Sequence, residues 1–203
     1  VTAELHADAL ATLRAWTPPS APQARLRDRY VTHLTDRPDG MERDCRPDHL
    51  TASTLVLSTD GRLVLLTLHA KAGQWFQFGG HCEPADRTLL GAARREAVEE
   101  SGIADLALDP VPLRLDEHAV PFCGDGGDVH HLDVWFLAVA PASAEHAVSD
   151  ESLDVRWWPV DGIPGEGHAW DEAIALAHAR LRVQSTSPPG GGSSRAAADQ
   201  PSR

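Results

Sequence analysis

Glu96, Glu99 and Glu100 stand at i, i+3 and i+4, so a helix over this stretch presents three carboxylates on neighbouring positions of one face. Like charges crowded this way destabilise an isolated helix. A hard divalent cation removes the repulsion, because it prefers carboxylate oxygens. Magnesium also keeps several waters and shares itself readily with substrate phosphates. The Gly79-Gly80 pair lies upstream on the same segment, and a glycine turn beside such a helix suits a metal–diphosphate site. The acids alone would equally suit a solvated helix face; the residues around them decide.

Those residues form the stretch GGHCEPADRTLLGAARREAVEESGI, Gly79 to Ile103, which resembles the Nudix box, G-x5-E-x7-R-E-U-x-E-E-x-G-U. The second half stands intact as Arg95-Glu96, Glu99-Glu100 and Gly102-Ile103, with Ala97 in the apolar slot. The first half departs twice. Counting from Gly80, the acidic position holds Asp86, and one residue is added around Arg87-Thr88. The addition precedes the helix, so it should lengthen a loop without rotating the carboxylates.

The resemblance implies an α/β/α sandwich around a mixed β-sheet and a magnesium- or manganese-dependent hydrolase. The reaction implied is cleavage of a diphosphate linkage in a nucleoside-diphosphate-linked or similar small substrate. Glu96, Glu99 and Glu100 would hold the metal, with the Gly79 carbonyl as a further ligand. Glu96 or Glu99 would also orient or deprotonate the attacking water, Arg95 would pin the carboxylates, and Asp86 would serve structure. The metal would neutralise substrate charge and activate water. Family members often recruit one more acid from a late loop. Glu151, in SDESLDVRWW, is the candidate here, and its ordinary alternative is a surface acid. A homodimer is compatible with the resemblance.

A second set comprises His49, His81, His131 and Asp133. His131 and Asp133 are two apart on an expected strand and share a face, and imidazole with carboxylate suits a transition metal. The arrangement is similar to isopentenyl diphosphate isomerases, which share the Nudix fold and hold a metal with histidines and acids. Gly79 stands where the isomerase has its cysteine, which disfavours that chemistry. The plainer reading is that these groups bond the backbone or line the substrate cleft. His118 could join either arrangement, and His130 should point outward.

Lys71, the only lysine, precedes Trp75 on HAKAGQWFQFGG. The arginine bias fits a high-GC bacterial genome, but a point cation on this segment could also bind a substrate phosphate. Trp75 could stack on a base or simply fill the core. Cys82 reads as a small buried hydrophobe.

The elements that must position these groups follow from periodicity. Leu5, Ala9, Leu13 and Trp16 mark a helix that Pro18-Pro19 stops, and Leu26, Tyr30 and Leu34 mark a second that Ser20 starts. They form an N-terminal extension, 1–47, packed on a main domain, 48–183. There, TASTLVLS and RLVLLTLH flank Asp60-Gly61 as a hairpin, and WFQFGG makes a third strand. A helix runs from about Thr88 to Ser101 and Gly102 closes it. Strands follow at 111–120, 131–140 and 155–160. A last helix starts near Ala169, with Trp170, Ile174, Ala177 and Leu181 on its buried side. Residues 184–203 read as a disordered tail.

Composition bounds the rest. The 203 residues carry 42% hydrophobic and 24% charged side chains, an ordinary balance for a globular protein. The formal charge of -12 argues against polymeric nucleic acid or anionic lipid as partners, though cations can bridge the chain to a small polyanion. No apolar run is long enough to span a membrane. With no secretory signal, the cytoplasm is the expected compartment. The three cysteines form neither a disulfide framework nor a zinc pattern. A domain of this kind that only senses nucleotides tends to lose the box glutamates, and here all three on the helix remain.

Overall fold

Two capped helices open the chain in the computed structural model, which describes residues 1–120, 129–149, 152–164 and 168–186. The Thr2 hydroxyl accepts from the Leu5 N–H at 3.2 Å and starts α1 (Ala3–Ala15), whose Leu5, Ala9 and Leu13 are buried. Ser20 starts α2 (Ala21–Asp36) in the same way, with Pro22 in the first turn, where its missing N–H is harmless. Tyr30 and Leu34 are buried and Leu26 partly so, as their spacing predicts.

The sheet is mixed. β1 (Asp48–Leu57) and β7 (His130–Val139) run parallel through its centre over ten paired residues. Every other pairing is antiparallel: β2 (Leu63–His69) with β1 and β8 (Ser152–Pro159), β3 (Trp75–Phe76) with β2, β4 (Phe78–His81) with β1, and β5 (Ala107–Leu108) and β6 (Arg114–Ala119) with β7. The expected hairpin around Asp60-Gly61 forms, but β1 and β2 stay together only at Val56↔Leu65 and Leu57↔Val64. Beyond that they fork. β4 takes the place beside β1 at Thr51–Thr54, while β2 carries β3. This fork divides the WFQFGG strand in two, with Gln77 at the crossing. Other differences are small. The short β5 was not expected, and β6 starts at Arg114, three residues after the expected position.

Helices cover both faces. The even-numbered residues of the central strands, Leu50 and Ala52 with Leu132, Val134 and Phe136, meet α1, α2 and α3 (Leu89–Ser101). Leu55, Leu57, Trp135 and Leu137 meet α4 (His168–Thr186) on the other side, where Ala173, Ile174 and Ala177 are buried and Trp170 and Leu181 pack against them. The outcome is the expected α/β/α sandwich. α4 runs to Thr186, three residues past the expected end of order, and Gln184 donates to Asp109 at 2.8 Å. The remainder of the expected tail lies outside the described residues.

The N-terminal extension packs on the main domain through specific polar groups as well as apolar ones. β6 is a sheet edge, and the buried Gln23 amide bonds both backbone groups of Leu115 there, at 3.0 and 2.7 Å. It thereby stands in for a missing strand. The Tyr30 hydroxyl donates to the Asp116 carbonyl at 2.7 Å. Asp8 on α1 accepts the Leu89 N–H at 2.7 Å, so the extension caps one of the unpaired donors at the start of α3. Among the described residues, no helix is long and apolar enough to cross a membrane.

Candidate functional site

Helix α3 lies close to the sheet because its inner face is small: Ala92, Ala93 and Ala97 are buried beside Leu89. The Thr88 hydroxyl accepts the Gly91 N–H at 3.0 Å and fixes the start. Gly102, at φ +73°, ends it in the left-handed conformation that suits glycine. The added residue at Arg87-Thr88 thus sits ahead of the helix, which keeps Glu96, Glu99 and Glu100 in phase.

The three carboxylates occupy different depths. Glu99 has 59% of its side chain exposed and Glu96 15%. Glu100 is buried and accepts the Gly79 N–H at 2.9 Å. Gly79 is a steric requirement, and Gly80 leaves room for the Glu96 carboxylate. A methyl group on Gly80 would sit 2.7 Å from a Glu96 carboxylate oxygen, and one on Gly79 would sit 2.7 Å from the Ser53 Cα. A larger residue at Gly79 would push β4 away from β1, and one at Gly80 would displace the Glu96 carboxylate.

Arg95 holds this cluster together. Its guanidinium bonds both Asp86 oxygens at 3.1 and 3.0 Å, Glu96 at 3.0 Å, Glu99 at 3.1 Å and the His81 carbonyl at 2.9 Å. Partial burial works against the charge, but the Asp86 bonds and the field of Glu96 raise its pKa above the ordinary arginine value. A planar fork with five donors can serve so many acceptors at once, whereas a lysine could not. Asp86 is buried and also accepts the Glu83 N–H at 2.8 Å, which closes the loop in front of the helix. The shorter acid still reaches Arg95 with both oxygens.

Beside the Gly79-Gly80 turn lies a cavity of about 200 Å³ whose wall includes Glu100, Phe76, Gln77, His118, His131 and Asp133. A shallower depression of about 800 Å³ at the Asp60-Gly61 turn contains none of the residues read as chemical, so volume does not locate the site.

The strand register explains which polar groups reach the cavity. Odd-numbered residues of β1 and β7 share a face, on which His49 neighbours His131 and Thr51 neighbours Asp133. His118 and Asp116 join from β6, opposite His131 and Asp133, and His81 joins from β4, opposite Thr51. The polar half of this face meets the cavity, and its apolar half lies under α4.

The four-residue histidine–acid set divides. His49, His81 and His131 converge, with one ring nitrogen from each within 4.8 Å of the others. The His49 and His81 Nε2 atoms are 3.1 Å apart, and the His49 Nδ1 bonds the Cys45 carbonyl at 3.2 Å. The acid is occupied elsewhere: Asp133 is buried and accepts from Thr51 Oγ1 at 2.9 Å and Ser53 Oγ at 2.6 Å, with Gln77 at 3.3 Å. Asp133 is therefore removed from the expected ligand set, because neighbouring hydroxyls satisfy it. Burial followed by mutual repulsion lowers His81 to about 4 and His131 to about 2, and burial also lowers His49. His118 behaves in the opposite way. Burial opposes its charge, but the bond to Asp116 at 3.0 Å and the nearby carboxylates raise its pKa.

A family model described as the NUDIX domain matches residues 47–178. The chain belongs to the Nudix family. No curated protein matches it in sequence. Among solved structures, the chain is similar to the NUDIX domain of Shewanella oneidensis NrtR complexed with ADP ribose, at 18% identity and TM-score 0.51, over 75% of this chain and 97% of that one. It is also similar to the E. coli dihydroneopterin triphosphate pyrophosphohydrolase, at 20% identity and TM-score 0.50, over 66% and 94%. At such identities the likeness concerns the fold.

Within this Nudix domain the remaining candidates fall in different places. Lys71 is exposed on the turn after β2 and is absent from the cavity wall. Trp75 also lies off the cavity, packed edge-on against Trp158 at 5.2 Å. The aromatic residue on the wall is the next one, Phe76, which the sequence reading missed. Alternation decides between them, since successive strand side chains point to opposite faces. Thr51, Ser53 and Gln77 were missed as well. The signal for Thr51 and Ser53 was their period-two spacing after His49 in HLTAST. Cys82 is buried, and burial pushes its thiol up to about 12, as a packing role predicts. Glu151 lies outside the described residues.

Proposed function

We propose that this Nudix domain is a hydrolase, dependent on magnesium or manganese, that cleaves a diphosphate linkage in a nucleoside-diphosphate-linked or similar small molecule. The observation that carries this reading is that Glu96, Glu99 and Glu100 share one helix, with Glu96 and Glu100 against the Gly79-Gly80 turn and Glu100 on the cavity wall. Carboxylates are the donors a hard cation prefers, and three stand here at graded depth; the Gly79 carbonyl and Glu151 are proposed as further ligands. When bound, such an ion neutralises the diphosphate and lowers the pKa of the attacking water.

The chain's own residues would do the remainder. Glu96 or Glu99 takes a proton from water as its oxygen bonds to one phosphorus and the bridging P–O bond breaks. Arg95 holds both glutamates in place. Phe76 offers an apolar face to the non-phosphate part of the substrate, while Gln77 and His118 offer hydrogen bonds. Lys71, on its exposed turn, is a candidate for an outer phosphate.

The test is a panel of nucleoside diphosphate derivatives and dinucleoside polyphosphates, incubated with purified protein and magnesium or manganese, with released phosphate measured. Metal-dependent turnover of at least one member is expected. Tight binding of a panel member without turnover under either metal would replace this reading with that of a nucleotide-sensing domain.

A further inference from the structure

The histidine trio lies on the face of β4 opposite the carboxylate helix, and nothing in the hydrolytic scheme uses it. Three imidazoles pack with ring centroids 4.9 to 5.0 Å apart, and His131 Nε2 is buried without a hydrogen-bond partner among the described residues. Leaving such an atom unsatisfied costs about 1–3 kcal/mol. One ligand placed between the rings would satisfy that atom.

We infer that His49, His81 and His131 form a binding site for a divalent transition metal, of the zinc class, distinct from the carboxylate site. The donor chemistry is selective, since imidazole suits zinc, cobalt or iron, whereas the glutamates suit magnesium. The geometry is close to what such an ion needs. Bonds of about 2.0–2.1 Å at tetrahedral angles set ligand nitrogens roughly 3.4 Å apart. The His49–His81 pair is at 3.1 Å, and the whole trio lies within 4.8 Å. Modest ring rotations would close the remaining gap.

The supporting contacts are those of a built site. The Cys45 carbonyl engages His49 Nδ1 and so turns Nε2 toward the centre, as partners of metal-bound histidines commonly do. Arg95 Nη2 holds the His81 carbonyl at 2.9 Å, which ties the strand position of this ligand to the carboxylate helix. Asp133 is engaged by hydroxyls, so the ligand set is histidine alone. His131 also lines the cavity, which gives one member of the trio a path to solvent.

The test uses the full chain, stripped with chelator and titrated with cobalt(II) in the presence of excess magnesium. About one equivalent should give the visible absorption of tetrahedral cobalt, and stoichiometric zinc should abolish it. Elemental analysis after desalting should find about one zinc per chain. Glu99→Gln should retain both signals, and His131→Gln and His81→Gln, each checked for fold by circular dichroism, should lose them. The readout is independent of turnover, so failure of the hydrolase reading would leave it untouched. Absence of the cobalt spectrum in the wild type overturns the inference even if every variant misfolds. So does a spectrum that Glu99→Gln removes and the histidine variants keep.

Discussion

The two faces of β4 solve the same problem in opposite ways. Toward α3, Gly80 gives way to the carboxylate of Glu96, and a crowd of acids is held by one arginine and by partial contact with water. Toward the other face, His81 meets His49 and His131, and burial keeps these rings neutral instead of compensating their charge. The pleat makes this possible, because adjacent residues of one strand point to opposite sides. A three-residue stretch, Gly79-Gly80-His81, can therefore lie against the carboxylate helix on one face and join the histidine cluster on the other. Sequence proximity does not imply shared chemistry.

The strongest way to break the comparison is to change one face alone. Glu99→Gln and Glu100→Gln should each reduce hydrolysis by at least roughly 100-fold, since removing a carboxylate from the proposed cation site removes electrostatic stabilisation. Both should fold. Glu99 is largely exposed, and a glutamine at 100 can still accept the Gly79 N–H with its amide oxygen. Turnover of either variant near the wild-type level at saturating magnesium would remove that residue from the site.

Arg95 ties the helix carboxylates to the His81 backbone carbonyl, and its loss should be felt as stability. Arg95→Ala leaves Asp86 buried without its bidentate partner. Breaking a fully buried pair costs about 3–5 kcal/mol. Water can reach part of this one, so we expect about 2 kcal/mol, read from urea denaturation midpoints. Arg95→Lys should recover less than half, since a single ammonium cannot span both Asp86 oxygens and the His81 carbonyl. A loss below about 0.5 kcal/mol would mean that the acids are held by the backbone instead.

How much of this was legible beforehand follows from the range of the signals. Helix α3, its caps and the phase of its glutamates depend on residues within one or two turns, and those read correctly from local spacing. The two N-terminal helices read for the same reason. The histidines could be grouped because their strands were recognisable, yet the exclusion of Asp133 required knowing that Thr51 and Ser53 sit beside it across a parallel pairing 80 residues distant in sequence. The fork that splits WFQFGG is likewise non-local. It decides that Phe76 rather than Trp75 faces the cavity, and a two-residue strand carries too little pattern to show its own phase. Gln23 is the extreme case: a polar residue in an apparently solvated helix turn is buried because a distant strand edge needs two hydrogen bonds.

The smallest effect concerns the joint between the extension and the carboxylate helix. Asp8 accepts the Leu89 N–H, one of the donors that a helix start leaves unpaired. Thr88 already serves the Gly91 N–H from within the loop, so the two side chains divide the work of one cap. Asp8→Ala should cost about 1 kcal/mol, while Asp8→Asn should keep most of the bond and lose only the attraction between a full charge and the helix dipole, about 0.3–1 kcal/mol. Midpoints from urea titration at low and high salt separate the two contributions, because screening weakens the charge term and leaves the hydrogen bond. The cobalt signal expected of the proposed histidine site should not change. Equal losses for alanine and asparagine would show that the charge, and not the hydrogen bond, carries the contact. No loss in either would mean that water caps Leu89 as well as Asp8 does, and that the extension is held to the main domain by Gln23, Tyr30 and its apolar face alone.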